Sequence, residues 1–287
     1  MNKINRRSFI TKSSMLLAAL PLARSREFFA SAAKNDYPIG FQTWVVKDML
    51  NKDLKGTLKT MAGMGYKMLE MCYPEGYKNS GFGPMAAMKT SDIKSAIHDA
   101  GLGCISSHFG HGDLLDDTKL GKSIQFAHEM GLTQVICSTF GLPKTATLDD
   151  YKSNADQLNK AGEKIKAAGM QAGFHNHDFE FHMLDNQLIY DALMHEFDPD
   201  LVKMQFQVEV INLGYKAADY FKKYPGRFIS AHLSDWTADK KAVPLGQGVV
   251  NWDEFFAATK TAGIKNCFVE MKFDTLKPSA AYLKKLS

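Results

Sequence analysis

The chain has 287 residues, of which 45% are hydrophobic and 23% are charged, and it contains no low-complexity stretch. This length and composition are typical of a globular protein with one large core and exclude a disordered or fibrous chain. The formal net charge is +4, but six basic residues and one acidic residue fall in residues 1–32, which leaves residues 33–287 close to −1. A nearly neutral chain gives no support to binding of nucleic acid or of an anionic membrane surface.

Residues 1–32 have the order of a secretory signal segment. Arg6 and Arg7 precede a short uncharged stretch, and a run of small residues before Ala33 predicts cleavage near that residue. The arginine pair, followed by Ser and Phe, resembles the twin-arginine export signal. The apolar stretch is shorter than the ~20 residues that span a bilayer, so no membrane insertion is expected. We therefore predict a signal peptide over 1–32 and a periplasmic domain over 33–287; the alternative is a basic, disordered N-terminus.

One structural unit recurs along residues 33–287. A helical stretch ends at a glycine, which can adopt the left-handed conformation that closes a helix, and an apolar run typical of a strand follows at once. This unit occurs five times, and three further strand-like runs complete a set of eight. The predicted strands cover residues 38–43, 66–72, 104–108, 134–138, 172–175, 201–207, 227–233 and 267–271.

Eight strands that alternate with helical segments predict parallel pairing and, at this chain length, a single closed (β/α)8 barrel of the α/β class, the TIM barrel. Thr147 and Asn251 each precede a carboxylate by three residues, which is typical of a helix start. The alternative is an open, doubly wound sheet. The first strand, however, is not followed by the glycine-rich phosphate loop of that fold.

Polar side chains that can bind ligands or carry protons follow nearly every predicted strand. In a TIM barrel the C-terminal ends of the strands form the active-site mouth, so we expect these side chains to converge there. Residues 174–181 contain the most side chains of this kind. Because side chains alternate along a strand, His175 and His177 are expected on one side and Asn176 on the other, with His175 pointing inward. The residues at or just after the strand ends are Gln42, Trp44, Glu70, His108, Ser138, His175, Asn176, His177, Glu180, Gln207, Glu209, His232, Asp235, Glu270 and Lys272.

Four stretches together resemble the xylose isomerase-like barrel superfamily, which is also called the sugar phosphate isomerase/epimerase family. The resemblance extends over essentially all of residues 33–287 and implies a TIM-barrel enzyme that acts on sugars. The stretches are Phe-His-Asn-His with Glu-Phe at 174–181, Tyr-Pro-Gly-Arg-Phe-Ile-Ser-Ala-His-Leu-Ser-Asp at 224–235, Leu-Gly-Gln-Gly at 245–248 and Phe-Val-Glu at 268–270.

In this family a divalent metal is usually held by carboxylates from the fifth and eighth strands, an Asp from the sixth and a His from the seventh. The resemblance implies that Glu270 and His232 are the eighth-strand and seventh-strand ligands. It places His175 and Gln207 where the family has acidic residues. Because each exchange removes an anionic oxygen, the site is expected to hold Mg²⁺ poorly and to suit a metal of the Zn, Mn or Co type. A site without metal is the alternative.

The chemistry that the resemblance implies is proton transfer beside a sugar carbonyl. The expected catalytic residues are the proton carriers Glu70, His108 and Glu270 with Lys272, which would stabilise a developing enolate. The expected substrate-binding residues are Gln42, Trp44, His177, Glu180 and Asp235. Because sugar phosphates are cytoplasmic and the chain lacks a phosphate-binding glycine loop, we expect the partner to be a small, non-phosphorylated sugar.

Three other functions are compatible with the same fold. A hydratase or lyase that acts on a keto-sugar from glycoside breakdown would use the same proton-transfer groups. A non-catalytic, exported sugar-binding protein would not need clustered titratable side chains, which therefore favour an enzyme. A nuclease of the related apurinic endonuclease branch is disfavoured by the near-zero charge of residues 33–287.

Overall fold

A computed structural model gives the fold of residues 38–286. The predicted signal peptide and its cleavage point lie outside these described residues, so both stay predictions. Between residues 38 and 286, no helix combines the length and the apolar character that crossing a membrane requires.

Eight parallel strands form a closed barrel in which each strand pairs with its neighbours along the chain and the last pairs with the first. The prediction of a TIM barrel is confirmed, and each predicted strand coincides with one barrel strand to within a few residues. The strands are β1 (Ile39–Gln42), β2 (Met68–Cys72), β3 (Gly103–Phe109), β4 (Gln134–Cys137), β5 (Gln171–His175), β6 (Val202–Gln207), β7 (Phe228–Leu233) and β8 (Asn266–Val269).

One main helix follows each strand, and shorter helices and hairpins occupy the loops after the strand ends. The main helices are α1 (Leu54–Gly63), α2 (Thr90–Asp99), α3 (Asp117–Met130), α4 (Leu148–Ala167), α5 (Ile189–Glu196), α6 (Ala217–Lys223), α7 (Trp252–Ala262) and α8 (Phe273–Leu286). The short α-helices are Lys47–Lys52, Gly83–Ala86 and His111–Leu114, and the 3-10 turns are Thr43–Val46, Lys78–Ser80, Phe179–Phe181 and Val208–Leu213. Two hairpins pair Met183–Leu184 with Gln187–Leu188 and Asp235–Trp236 with Ala242–Val243.

Local sequence explains where the helices begin and end. Thr147 and Asp150 form the expected reciprocal cap of α4: Thr147 Oγ1 accepts from Asp150 N at 3.2 Å, and Asp150 Oδ2 accepts from Thr147 N at 2.7 Å. Asn251 Oδ1 accepts from the Glu254 amide at 3.1 Å at the start of α7. At the end of α3, Gly131 has φ +80°, a conformation that glycine adopts without steric cost.

The sequence of β7, Phe-Ile-Ser-Ala-His-Leu, shows how the barrel positions polar groups. All six residues are buried, because a barrel strand is covered by helices on one face and by the barrel interior on the other. Ser230 and His232 are two residues apart and therefore share the inward face. A single strand thus contributes two polar side chains at successive heights inside the barrel.

Two register shifts align these inward residues across the barrel. Between β2 and β3 the pairing skips one residue of β3 just before Glu70, so that Glu70 lies opposite Ser106. Between β6 and β7 a similar shift places Gln205 opposite Ser230. The four residues form a polar layer below the mouth, and the functional site rests on this layer.

Candidate active site

Glu70 is the centre of the polar layer. Its side chain has no solvent exposure, and both carboxylate oxygens are saturated. Oε2 accepts from Gln42 Nε2 at 2.7 Å and contacts His232 Nε2 at 2.5 Å, while Oε1 accepts from Ser106 Oγ at 2.5 Å and Gln205 Nε2 at 2.7 Å. From the sequence we expected Glu70 to exchange protons with a substrate. Its burial beneath four donors corrects this expectation: Glu70 orients other side chains.

Gln42 also belongs to this layer and not to the substrate-contacting rim. It is fully buried; its Nε2 donates to Glu70, and its Oε1 accepts from Trp44 N at 3.2 Å and Thr43 Oγ1 at 3.1 Å. The predicted substrate contact of Gln42 is therefore replaced by a structural one. Trp44, two residues later, reaches the rim, and 38% of its surface is exposed.

His232 lies between two carboxylates. Its Nε2 contacts Glu70, and its Nδ1 is 2.9 Å from Glu270 Oε2. Burial alone would lower the pKa of His232, but the charges of Glu270 and Glu70 raise it to about 10. Burial likewise would raise the pKa of Glu270. The charge of His232, together with hydrogen bonds from His232 and Gln207, brings the pKa of Glu270 to about 2. The two carboxylates are thus anionic at neutral pH.

Three further histidines surround His232. The ring centroid of His175 lies 4.4 Å from that of His232, and the centroid of His108 lies 5.1 Å from it. One ring nitrogen of each of His108, His175 and His232 lies within 4.8 Å of the others. His177 stands beside His175 at 4.9 Å and is partly exposed. The structure therefore brings together four histidines that the sequence placed on three different stretches.

Three polar atoms at this cluster are buried without a hydrogen-bond partner: Nδ1 of His175, Nδ1 of His177 and Oε1 of Gln207. Burial and the neighbouring histidines hold the pKa of His175 well below its ordinary value, so its ring is neutral. A neutral imidazole with an unpaired nitrogen is a ready ligand for a metal or a substrate hydroxyl. Unpaired polar atoms are costly when buried, which favours a bound group at this position.

The contacts of His232 also fit those of a metal ligand. A metal-binding histidine commonly donates its other N–H to a carboxylate, which fixes the ring. Glu70 takes that position at Nε2. Nδ1 lies 2.9 Å from Glu270 Oε2 as a hydrogen-bonded pair, so a metal bound to both atoms would replace the proton between them. The ligand atoms that lie within 4.8 Å of one another belong to His108, His175 and His232, and unpaired Oε1 of Gln207 adds an oxygen donor at the same cluster. This set fits a borderline divalent metal.

A pocket opens beside the cluster and is lined by Trp44, Cys72, Tyr77, His108 and Glu270. His108 contacts Gln205 Oε1 through Nε2 at 2.6 Å, and this oxygen can only accept, so Nδ1 is the nitrogen left for a substrate. Glu270 keeps 19% of its side chain exposed. The proton carriers that reach the pocket are therefore His108 and Glu270.

Several residues of this site were not among those predicted. Gln205 and Ser106 each lie two positions before a predicted residue on the same strand. A strict alternation rule would have found both, since residues two apart share a face. Tyr77 lies in the loop after β2 and donates to Ser138 Oγ at 2.5 Å, which ties this wall of the pocket to β4. No periodic signal marks a loop residue of this kind.

Asp235 and its loop explain the Leu-Gly-Gln-Gly stretch. The buried carboxylate accepts from the amides of Gly246 at 2.8 Å, Gly248 at 3.1 Å and Val250 at 3.2 Å, and from Trp252 Nε1 at 3.0 Å. A Cβ on Gly248 would lie 2.1 Å from this carboxylate, so the close approach requires glycine. Asp235 therefore holds the loop between β7 and α7, in place of the predicted substrate contact.

Glu180 and Lys272 were also predicted to belong to the site. Glu180 is fully buried; its Oε2 accepts from His177 N at 2.8 Å, and its Oε1 has no partner. Burial raises the pKa of Glu180 to about 8, so the side chain is a buried acid; its predicted contact with a substrate stays a prediction. Lys272 is exposed between β8 and α8, and its side chain makes no hydrogen bond or ion pair with the described residues. The structure thus leaves the expected enolate-stabilising lysine outside the network.

Comparison with known proteins agrees with this architecture. Two sugar phosphate isomerase/epimerase structures from Parabacteroides distasonis ATCC 8503 are similar to the chain. One is 26% identical with a TM-score of 0.71, covering 88% of this chain and 95% of that one; the other is 27% identical with a TM-score of 0.72, covering 87% and 98%.

A xylose isomerase-like TIM barrel protein from Mycobacterium smegmatis, solved in complex with magnesium, shares the fold at 14% identity. Its TM-score is 0.63, and the match covers 88% of this chain and 96% of that one. No match was found among curated proteins. A model of the family described as xylose isomerase-like TIM barrel matches residues 58–286. By this match, and by the closed eight-stranded barrel, the chain belongs to the xylose isomerase-like TIM barrel family.

Proposed function

We propose that this protein is a sugar isomerase or epimerase that moves a proton at a carbon beside the carbonyl of a non-phosphorylated sugar, assisted by a divalent metal. The observation that carries this proposal is the position of His232, held between Glu70 and Glu270 in the mouth of a xylose isomerase-like barrel. The names of the two similar proteins from Parabacteroides distasonis support the same class of reaction.

His175, Gln207, His232 and Glu270 would hold the metal, with Glu70 fixing the ring of His232. A divalent metal bound there would polarise the sugar carbonyl and make the neighbouring carbon–hydrogen bond more acidic. Histidines in place of carboxylates favour a metal of the Zn, Mn or Co type over Mg²⁺. This preference rests on the donor atoms that converge on the cluster.

Glu270 and His108 would carry the proton. Oε2 of Glu270 is engaged by His232 and Gln207, which leaves Oε1 to take a proton from substrate. Nδ1 of His108 is the second acceptor in the pocket, and β3 and β8 present the two groups from different sides of the barrel mouth. An epimerisation needs a proton removed on one face of the carbon and supplied on the other, and two separated carriers meet this need.

The rim of the pocket suits a neutral sugar. Trp44 offers an exposed aromatic ring flanked by Tyr77 and Phe82, and aromatic rings with few polar groups are typical of small-molecule sites. Glu270 lines this pocket and would repel a phosphate group, while Lys47, a cation at the rim, has its Nζ 3.6 Å from the Trp44 ring centroid. The predicted export to the periplasm supports the same conclusion, because sugar phosphates are cytoplasmic.

A hydratase or lyase that acts on a keto-sugar is the second candidate. The observation that favours it is the presence of His175 and Gln207 in the buried cluster, where the family has acidic residues. Their neutral side chains leave a less negative site, which suits a neutral substrate that already carries a carbonyl.

The test is incubation of the purified protein with free aldoses, ketoses and keto-sugars in D₂O, followed by NMR, with metal content measured on the same sample. We expect deuterium at the carbon beside the carbonyl together with an isomer or epimer, about one equivalent of metal, and loss of exchange in Glu270→Gln. Glu163→Gln, an exposed carboxylate on α4, is the matched control. Gain or loss of water with exchange would favour the hydratase. Tight sugar binding with no exchange in any sugar would overturn the proposal in favour of a binding protein.

A further inference from the structure

A second cavity opens on the same face of the barrel, between the loop that follows β4 and the loop that follows β5. Its volume is about 790 Å³, within the size range of small-molecule sites. Its wall is mostly apolar, and two of its large apolar side chains remain exposed, Phe179 at 37% and Met183 at 61%. The other apolar residues that line it include Leu142, Pro143, Ala146 and Leu184.

This cavity adjoins the histidine cluster through a stacked pair of rings. Phe179 lines the cavity and lies parallel to His177, with centroids 5.0 Å apart and planes 10° apart. His177 in turn contacts His175, which contacts His232. A molecule that binds at the cluster therefore has one ring, His177, between it and the apolar wall.

The opposite rim gives a second connection. Tyr77, which lines the pocket beside Glu270, donates to Ser138 Oγ, and the next residue, Thr139, lines the cavity. The contacts thus place two borders between the pocket and the cavity, one built from His177 and Phe179 after β5 and one from Tyr77 and Ser138 at β4. Both borders lie at the C-terminal ends of the strands, where substrates of this fold bind.

We propose that this cavity binds an apolar, aromatic group attached to the sugar, so that the substrate is an aryl glycoside whose sugar ring carries the carbonyl at a carbon other than the anomeric one. This inference rests on the proposed function, because it places the sugar itself at the histidine cluster. Lys144, Asp178 and His182 also line the cavity, but most of its wall is apolar. A second sugar unit fits less well there, since hydroxyl groups facing Leu142, Pro143 and Leu184 would lose hydrogen bonds with water without replacement. A flat ring can instead pack against Phe179 and bury apolar surface.

The experiment is calorimetric titration of the full chain with matched pairs of probes: the methyl and phenyl β-glycosides of glucose, galactose and xylose, and phenol alone. For a sugar that binds, we expect the phenyl glycoside to bind about tenfold more tightly than the methyl glycoside, because a phenyl ring removes its apolar surface from water. Phenol alone is expected to bind far more weakly than the phenyl glycoside.

Three variants test whether the preference for the phenyl glycoside arises in this cavity. Ala146→Phe fills the cavity and should abolish the preference for phenyl while leaving the affinity for the methyl glycoside unchanged. Met183→Ala removes an exposed wall residue and should reduce the preference. Leu213→Ala, at an exposed apolar residue after β6 that does not line the cavity, should leave the preference intact.

The outcomes separate this inference from the proposed function. Equal affinity for phenyl and methyl glycosides, or phenol that binds as tightly as the phenyl glycoside, overturns the inference and leaves the sugar reaction standing. A phenyl preference that Ala146→Phe abolishes, in a protein that exchanges no proton of any sugar, supports the cavity assignment and overturns the isomerase. Failure of every glycoside to bind overturns the inference, while the exchange experiment with free sugars and keto-sugars decides the proposed function separately.

Discussion

Glu70 Oε2 and His232 Nε2 are 2.5 Å apart at the floor of the barrel mouth, although 162 residues separate them in the chain. The contact fixes the orientation of the imidazole ring, so that the other nitrogen, Nδ1, faces Glu270 and the open part of the site. A buried carboxylate that holds a ring in this way determines which nitrogen a metal or substrate meets.

Replacing this carboxylate should weaken metal binding. Glu70→Gln removes the partner that orients His232, and loss of such a partner typically lowers metal affinity about 10–100-fold. Competition against a chelating dye measures the affinity directly and does not depend on activity. Lys272→Ala is the control, because its side chain lies outside the network. Unchanged affinity in a Glu70→Gln protein that melts as a folded chain would remove Glu70 from this role.

His108 should carry protons without holding the metal. His108→Gln is expected to reduce deuterium exchange into the sugar by about 10²–10⁴-fold while the metal content stays near that of the wild type. His175→Gln is expected to lose both exchange and metal, since its unpaired Nδ1 is a proposed ligand atom. Metal analysis of the two variants, prepared in parallel, distinguishes the roles. Loss of metal in His108→Gln would instead make His108 a ligand.

Asp235 should affect folding more than substrate binding. Asp235→Asn places an amide NH₂ where one carboxylate oxygen now accepts N–H groups of the loop between β7 and α7. We expect the free energy of unfolding to fall by about 2–4 kcal/mol, measured by urea denaturation. Sugar affinity of the folded variant should be close to normal. A stable variant with greatly weakened sugar binding would restore the substrate contact that the sequence suggested.

The buried acid Glu180 should make stability depend on pH. Its pKa is about 8 in the folded protein and about 4.3 in an unfolded chain, so between these values folding takes up a proton. The stabilisation is fully present below about pH 4.3 and is lost as the pH rises toward 8, by about 1.4 kcal/mol per pH unit. Urea unfolding of wild type and Glu180→Gln from pH 5 to 8.5 isolates this slope by difference. Glu196→Gln, at an exposed carboxylate of α5, should retain the wild-type slope.

Export is a separate prediction, because residues 1–32 lie outside the described part of the chain. Changing both Arg6 and Arg7 to lysine should leave the full-length protein in the cytoplasm, whereas the wild type should be found in the periplasm without its first ~32 residues. Cell fractionation and N-terminal sequencing measure both effects. Unchanged export of the double variant would exclude the twin-arginine route.

The sequence by itself determined the barrel and the residues at its mouth. Helices that end in glycine before short apolar strands predict parallel pairing, and the lack of a phosphate loop after the first strand favoured the closed barrel over a doubly wound sheet, which the structure confirms. Because every strand of that barrel ends at the same face, the positions of His175, His232 and Glu270 along the chain were enough to predict that they would meet.

Only the tertiary structure decided what each of these residues contacts. A one-residue register shift places Glu70 opposite Ser106, and no feature of either strand's sequence signals that shift. Asp235 and Glu180 follow strands, as substrate-binding residues do, but loop folding turns both carboxylates toward backbone amides. Strand periodicity is a local property that a sequence displays. Register and loop conformation depend on the free energy of contacts between distant residues, and these exist only once the barrel has closed.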